Sequence, residues 1–298
     1  MGESVIYPAS FALAANLLGE QNKAKALAIA ESSFGIGLMF GPPLGGVLYS
    51  LGAFYAPFWF CGAFLFIIAC LNIILYGEHE QKIEFEINVG EIEPLKWSAV
   101  LRINLIWKSL VALSLTSCSW YWYSASLQPF LSDKYGFSAS QTGLVFMAGA
   151  SAYTVTTPLF GILMDKGVSE AHMIILGNVL IVIGYVFLGP VPIFSFIKPS
   201  YWFTVISLVL QGVGSSAAFL GSFCYMLKGL EMAGIPDTDQ SQGMVSSLYI
   251  IGDCLGAFIG AGVGGLAYQL IGFQNASYLP LGVISLVTVW FIIFSRNN

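Results

Sequence analysis

Two carboxylates stand out because of where they lie. Asp253 ends the run Ser247-Leu248-Tyr249-Ile250-Ile251-Gly252-Asp253, deep in an apolar segment, and Glu31 lies in a second apolar segment. A lone charge in hydrocarbon costs ~2.5–3.5 kcal/mol on insertion scales. Such a group must face a cavity, find a partner or hold a proton. It is suited to alternate between a proton and a cationic ligand; a purely structural Asp253 would instead be hydrogen-bonded across helices. Glu31 either faces a cavity or pairs with Lys23 or Lys25 at the rim of its span. Trp120-Tyr121-Trp122-Tyr123 is the densest aromatic run. Aromatic faces attract organic cations by ~0.5–2 kcal/mol each, and the same residue types form interfacial belts in ordinary membrane proteins. Consecutive residues point all around a helix, so only one or two of the four line any one cavity. Tyr123, Gln128 and Gln211 are further candidates for cavity contacts.

Other chemistry is harder to build. His79 and His172 fall in polar loops, and the five cysteines lie in apolar segments without a CxxC pair. This argues against a metal site, a disulfide framework and His-based catalysis. Asp253 is the only aspartate within a span, so the paired aspartates of an intramembrane protease are missing, and the chain reads as a non-enzyme. No Lys/Arg run suggests nucleic acid.

The elements that carry these residues are membrane spans. The chain has 298 residues, 57% hydrophobic and 9% charged, with a mean hydropathy of +0.79. Soluble domains carry about 25% charged residues. Eleven basic and sixteen acidic residues cannot coat a soluble protein of this length, so the main solvent is lipid. Nine segments qualify as spans: 3–18, 26–50, 55–76, 104–130, 139–163, 171–190, 201–228, 243–269 and 276–294. Nine of the eleven basic residues (Lys23, Lys25, Lys82, Lys96, Arg102, Lys108, Lys166, Lys228 and Arg296) fall on one side. Only Lys134 and Lys198 fall on the other. The positive-inside bias puts the first set and the C-terminus in the cytoplasm. Glu3 lies at the opposite, non-cytoplasmic end of the first span and reads as an interfacial residue. Asn275-Ala276-Ser277 is a glycosylation sequon on that same side, close to the membrane.

An internal repeat organises the spans. Gly37, Gly41, Gly45, Gly46, Tyr49, Leu51 and Phe54 recur 219 residues later as Gly256, Gly260, Gly264, Gly265, Tyr268, Leu270 and Phe273. Duplicated halves are common in secondary transporters. The second half has four spans before its glycine-rich copy and the first half has one. Three helices, on the order of 100 residues, are therefore expected ahead of the chain. The nine spans then correspond to helices 4–12 of a twelve-helix design. Shifted by the repeat, Asp253 falls at Phe34, three residues from Glu31 and on the same helical face. The two carboxylates are thus expected on related faces of one cavity, which suits a substrate with several separated ammonium groups.

Gly37-x-x-x-Gly41-Pro42-Pro43-x-Gly45-Gly46 resembles the antiporter motif on helix 5 of the major facilitator superfamily. The loop before it, Glu20-Gln-Asn-Lys23-Ala-Lys25-Ala, has Lys-Ala where drug/proton antiporters carry Arg-Gly. Gly161-Ile-Leu-Met-Asp165-Lys166 is similar to the superfamily's cytoplasmic G-x-L-x-D-R/K signature. The Asp253 segment, with Gly264-Gly265 and Ile271-Gly272-Phe273, resembles helix 11 of the vesicular amine transporter branch. No carboxylate lies in 104–130 or 201–228, unlike monoamine carriers, so a polyamine-type relative fits better.

The resemblance implies an all-α polytopic membrane protein of that fold, N-terminally incomplete. Residues 1–77 are an incomplete N-terminal bundle, 78–103 an acidic cytoplasmic linker and 104–298 a complete six-helix bundle. The implied function is proton-coupled antiport of an amine or polyamine by alternating access, in a vesicle or other acidic organelle. The protein would be a monomer, with no cofactor beyond the proton gradient. The alternative is a non-transporting fragment or a regulatory isoform of such a carrier. Pro42-Pro43 removes backbone donors and is expected to kink its helix. The Gly-x-x-x-Gly spacing lets backbones pack closely, and together these give the motif a role in conformational change. Asp165 with Lys166 forms either a cytoplasmic latch or a solvated turn.

Overall fold

The computed structural model describes residues 23–52, 54–77, 95–188 and 200–295. The expected first span, Glu3, His79 and the acidic part of the linker lie outside the described residues. The helices are α1 (Lys23–Gly52), α2 (Tyr55–Gly77), the single turn α3 (Trp97–Val100), α4 (Asn104–Tyr135), α5 (Ala139–Asp165), α6 (Glu170–Leu188), α7 (Tyr201–Met232), α8 (Asp239–Ala276) and α9 (Tyr278–Ser295). Eight of them match the remaining eight expected spans. Six, namely α1, α2 and α5–α8, are long and apolar enough to cross a membrane. α9 is apolar but shorter. α4 is long but carries many hydroxyls, and it compensates by sitting between α7, α8 and α9. Its Thr116, Ser124 and Ser126 donate to the carbonyls four residues back, so they are satisfied without water.

The ends follow from local chemistry. Ser138 and Gln141 form a reciprocal capping box that starts α5, and Thr238 and Ser241 form one that starts α8. Gly136, at φ 66°, closes α4 in the left-handed conformation. α8 breaks at Gly272 (φ 74°, ψ 164°), a conformation that a side chain would resist. α1 stays helical through Pro42 and Pro43. Contact with α5 supports this stretch from the side: the space beside Gly143 is filled by the Pro42 carbonyl, and that beside Gly46 by the backbone of Ser140. His172 falls in the exposed first turn of α6 and not in a loop.

α1 lies along α5, α4 along α8, and α6 along α7; α5 also packs on α7, and α9 bridges α4 and α6. α2 touches α1 and leaves its phenylalanines and Trp59 exposed, as a lipid-facing helix would. Between lipid-solvated helices, packing depends on close approach rather than on hydrophobic exclusion. α8 achieves this on α4 at three successive turns. A Cβ at Gly256, Gly260 or Gly264 would lie 2.1, 2.2 or 2.7 Å from the carbonyl oxygens of Ser114, Cys118 and Trp122. The repeat copies Gly37, Gly41 and Gly45 meet nothing within 4 Å among the described residues. Within the sequon, Asn275 is exposed and its amide donates to the Ile271 carbonyl, whereas Ser277 is buried and donates to the Phe273 carbonyl.

A leucine at position 260 must push α4 and α8 apart, an overpacking cost of about 1–3 kcal/mol or more. Gly260→Leu is therefore expected to lower thermal stability in detergent, followed by fluorescence-detected size exclusion. Gly262→Ala, where nothing lies within 4 Å, should leave the melting curve in place.

Candidate functional site

Each intramembrane carboxylate is held by a hydroxyl from a neighbouring helix. Ser117 of α4 donates to Asp253 Oδ1 at 2.6 Å. Tyr153 of α5 donates its phenol hydrogen to Glu31 Oε1. Glu31 is 3% exposed and about two turns into α1. The two acids lie on different seams, Glu31 between α1 and α5 and Asp253 between α4 and α8. They were expected to face one cavity, and neither lines the cavity described next. The physical reason is the cost of a bare carboxylate in this interior: the nearest hydroxyl on the facing helix satisfies it.

A cavity of about 550 Å³ opens between α1, the start of α2, α4 and α5. Two of the sequence candidates, Tyr123 and Gln128, line it together with Pro42, Gly45 and Gly46 of the antiporter-like motif. Of the four-residue aromatic run, Trp120 and Tyr123 face it. They are three positions apart, on one side of α4, and their rings meet edge-on at 5.5 Å. Trp122 points the other way, against Phe273 and Tyr185. No charged side chain lines the cavity among the described residues.

Gln211 does not reach it. Its side chain is 0% exposed and fits against Gly184 of α6, whose missing side chain makes the room. The expectation that it contacts a central cavity is corrected accordingly.

A second cavity, of about 660 Å³, lies at the other end of the α1–α5 seam. Asp165, Glu170, Glu231 and Asp237 line it with Lys228, which bridges to Glu170 at 2.8 Å. Gly161 packs against Ala28, bringing the end of α5 to the start of α1. Asp165 then accepts the backbone N–H groups of Ala24 (3.2 Å) and Lys25 (3.1 Å). These are first-turn donors that no helical carbonyl satisfies. The carboxylate thus joins two helices from different halves, and its described partners are amides of α1 and not Lys166. Lys166 caps the C-terminal end of α5.

The sequence matches the Major Facilitator Superfamily over residues 1–127 and 109–298. The chain belongs to the major facilitator superfamily. The human protein "MFS-type transporter SLC18B1" is 30% identical to it over 279 residues, covering 92% of this chain and 59% of the relative. The rat protein of that name is 32% identical over 257 residues, 86% and 54% of the two chains. The human "Synaptic vesicular amine transporter" is 28% identical over 160 residues, 49% of this chain and 26% of that one. The chain spans between 54% and 59% of the length of these two SLC18B1 relatives. The superfamily membership accords with the all-helical, membrane-integral architecture. Within this superfamily chain, Tyr153, Ser117 and Thr142 are site-forming residues that the sequence did not single out. Each is neutral, and helical spacing alone does not say which neighbour it meets.

Removing the Asp165 carboxylate should loosen the α1–α5 junction. Cys224 lines the same cavity and supplies a probe. In a chain whose other cysteines are replaced, Asp165→Ala is expected to speed maleimide labelling of Cys224. An unchanged rate would show that the bond does not hold this end closed.

Proposed function

We propose that this superfamily member works as a proton-coupled antiporter of an organic cation, an amine or polyamine, by alternating access. The observation that carries this reading is the pairing of two intramembrane acids with hydroxyls of facing helices, Glu31 with Tyr153 and Asp253 with Ser117, in a bundle that also holds an uncharged aromatic cavity. A carboxylate held by a hydroxyl keeps a hydrogen-bond partner in both protonation states. It can therefore take up and release a proton without being left bare. Asp253 is the principal proton or substrate carboxylate. Glu31 is the second. The glycines and prolines of α1, with Gly161 and Asp165, belong to the moving seam.

The names of the relatives support the substrate class, since one of them is a vesicular amine transporter. The Lys/Arg distribution supports a cytoplasmic C-terminus. An acidic vesicle lumen would supply the gradient, and a single subunit would suffice, with no bound cofactor. The domain division of the sequence reading is carried with this proposal: an N-terminal bundle to residue 77, a linker at 78–103 and a second bundle from 104.

The test is uptake of radiolabelled spermidine and of a monoamine panel into liposomes with an imposed acid interior. Wild type should accumulate label, and nigericin should abolish accumulation. Asp253→Asn is expected to insert and elute normally yet lose gradient-driven uptake. Normal uptake by that variant would remove Asp253 from the mechanism. A chain that inserts but accumulates none of these cations would favour the second reading, a non-transporting relative that assembles with a longer carrier; the 54–59% coverage of its relatives is what keeps that reading in view.

A further inference from the structure

The break in α8 builds a cavity at the end of the bundle where α4 stops and α5 starts. α5 runs from here to Asp165, so this cavity and the acidic one lie at opposite ends. Gln269 and Gln274 of α8 both line it, with Phe130 and Lys134 of α4. In an unbroken helix, five residues would turn these two amides about 140° apart. Gly272, at φ 74°, redirects the chain between them, and both reach one space of about 470 Å³. Phe273 then stacks on Phe130, with centroids 4.2 Å and planes 15° apart, and so pins the redirected chain to α4.

Lys134 is the charged side chain of this lining among the described residues. Its Nζ stands 5.1 Å from the centre of the Phe130 ring and 5.9 Å from that of Tyr135. It forms no ion pair among the described residues. Ring faces hold an ammonium without neutralising it, so it keeps its capacity to bind an anion. Asp133 does not discharge it. That carboxylate turns to α8 and accepts the Tyr268 hydroxyl at 2.5 Å. Tyr268 lines the cavity, which puts a negative charge at its edge. The side-chain amides of Gln269 and Gln274 hydrogen-bond to no described residue and add neutral donors.

The site therefore offers one charge of each sign. A doubly charged free phosphate would meet Asp133 as well as Lys134, whereas a phosphodiester linked to an ammonium matches both. The flank is apolar. Ile271, in the lining, is 49% exposed, and Leu270 and Leu266 on the same helix are 72% and 58% exposed. Lysine and tyrosine side chains at the end of a span lie at headgroup level. We propose that this cavity binds the headgroup of a zwitterionic phospholipid with a primary ammonium, the phosphatidylethanolamine class. The phosphodiester rests on Lys134 and accepts from the Gln269 and Gln274 amides. The ammonium donates to Asp133, and the acyl chains lie along Leu270 and Leu266. The site is independent of what the chain transports.

The test is native mass spectrometry of the full chain in detergent, titrated with an equimolar mixture of dioleoyl phosphatidylethanolamine and dioleoyl phosphatidylcholine. The second lipid keeps the phosphodiester but its trimethylammonium has no N–H. Wild type should prefer the first about fivefold, the upper value for a partly exposed ion pair. Asp133→Asn, whose amide oxygen can still accept from Tyr268, should bring the two lipids level by weakening the first alone. Lys134→Ala should weaken both about fivefold, because the phosphodiester is common to them. Arg102→Ala, at the other end of α4, should change neither. Equal wild-type affinities for the two lipids, or a Lys134→Ala chain that binds both as wild type does, would overturn the site. If a variant does not fold, the wild-type comparison still decides. Inorganic phosphate and glycerophosphoethanolamine, the same headgroup without chains, separate a lipid from a soluble ligand. Neither should displace the lipid when present at the same concentration, and displacement by either would defeat the lipid assignment.

Discussion

The structure depends on how closely two helix backbones can approach within a lipid-solvated bundle. Apolar side chains gain little by leaving lipid for one another, so helices associate where small residues let backbones touch. The same approach makes a buried acid tolerable. Gly256 lies three residues after Asp253, and a Cβ there would stand 2.6 Å from that of Ser117, the residue whose hydroxyl holds the aspartate. Gly35 lies four residues after Glu31, and a Cβ there would stand 2.9 Å from a ring carbon of Tyr153, the residue that holds the glutamate. In both copies of the repeat, a glycine one turn beyond the carboxylate brings in the helix that supplies its partner. Helix packing and the hydrogen bonding of the carboxylate are therefore one feature on each seam.

Much of this architecture is legible in the sequence because its signals are long. Eight described helices stand where apolar length and charge spacing put them, and the 219-residue repeat marks out α1 and α8 as equivalents. Trp120 and Tyr123 share a cavity wall because three residues make most of a helical turn. What the sequence does not convey is which neighbour each helix face meets. Gln211 turns into the α6–α7 seam because Gly184, on a different helix, leaves room for it. Glu31 and Asp253 occupy separate seams because each is captured by its own hydroxyl before it can share a cavity.

The repeat itself is used unequally. On α8, Gly256, Gly260 and Gly264 are filled by the backbone of α4. On α1, the equivalent glycines face open space among the described residues, and the neighbouring Gly46 takes up the contact with α5. Duplication has conserved the means of close approach while the two helices turn different sides to the second-half bundle. Pro42 and Pro43 fit this picture. They have no counterparts in the α8 copy, where Ala261 and Gly262 stand. They sit where α1 borders both α5 and the aromatic cavity.

The position of the Glu31–Tyr153 contact along its helices gives it a mechanical meaning. On α1, Leu27 lines the acidic cavity and Leu38 lines the aromatic one, with Glu31 between them. On α5, Met164 lines the first and Ala150 the second, with Tyr153 between. Trp120 packs on the Tyr153 ring at 5.7 Å and Phe219 at 6.3 Å, so the barrier is backed by rings from two further helices. Any movement that joins the two cavities along this seam must part α1 from α5 at this level, and it must break the Tyr153–Glu31 hydrogen bond. A charged Glu31 exposed by that parting needs water or a cation, whereas a protonated one needs much less. The Asp165 carboxylate, about three turns further along α5 and reaching α1 about two turns before Glu31, adds hydrogen bonds that the same movement must break.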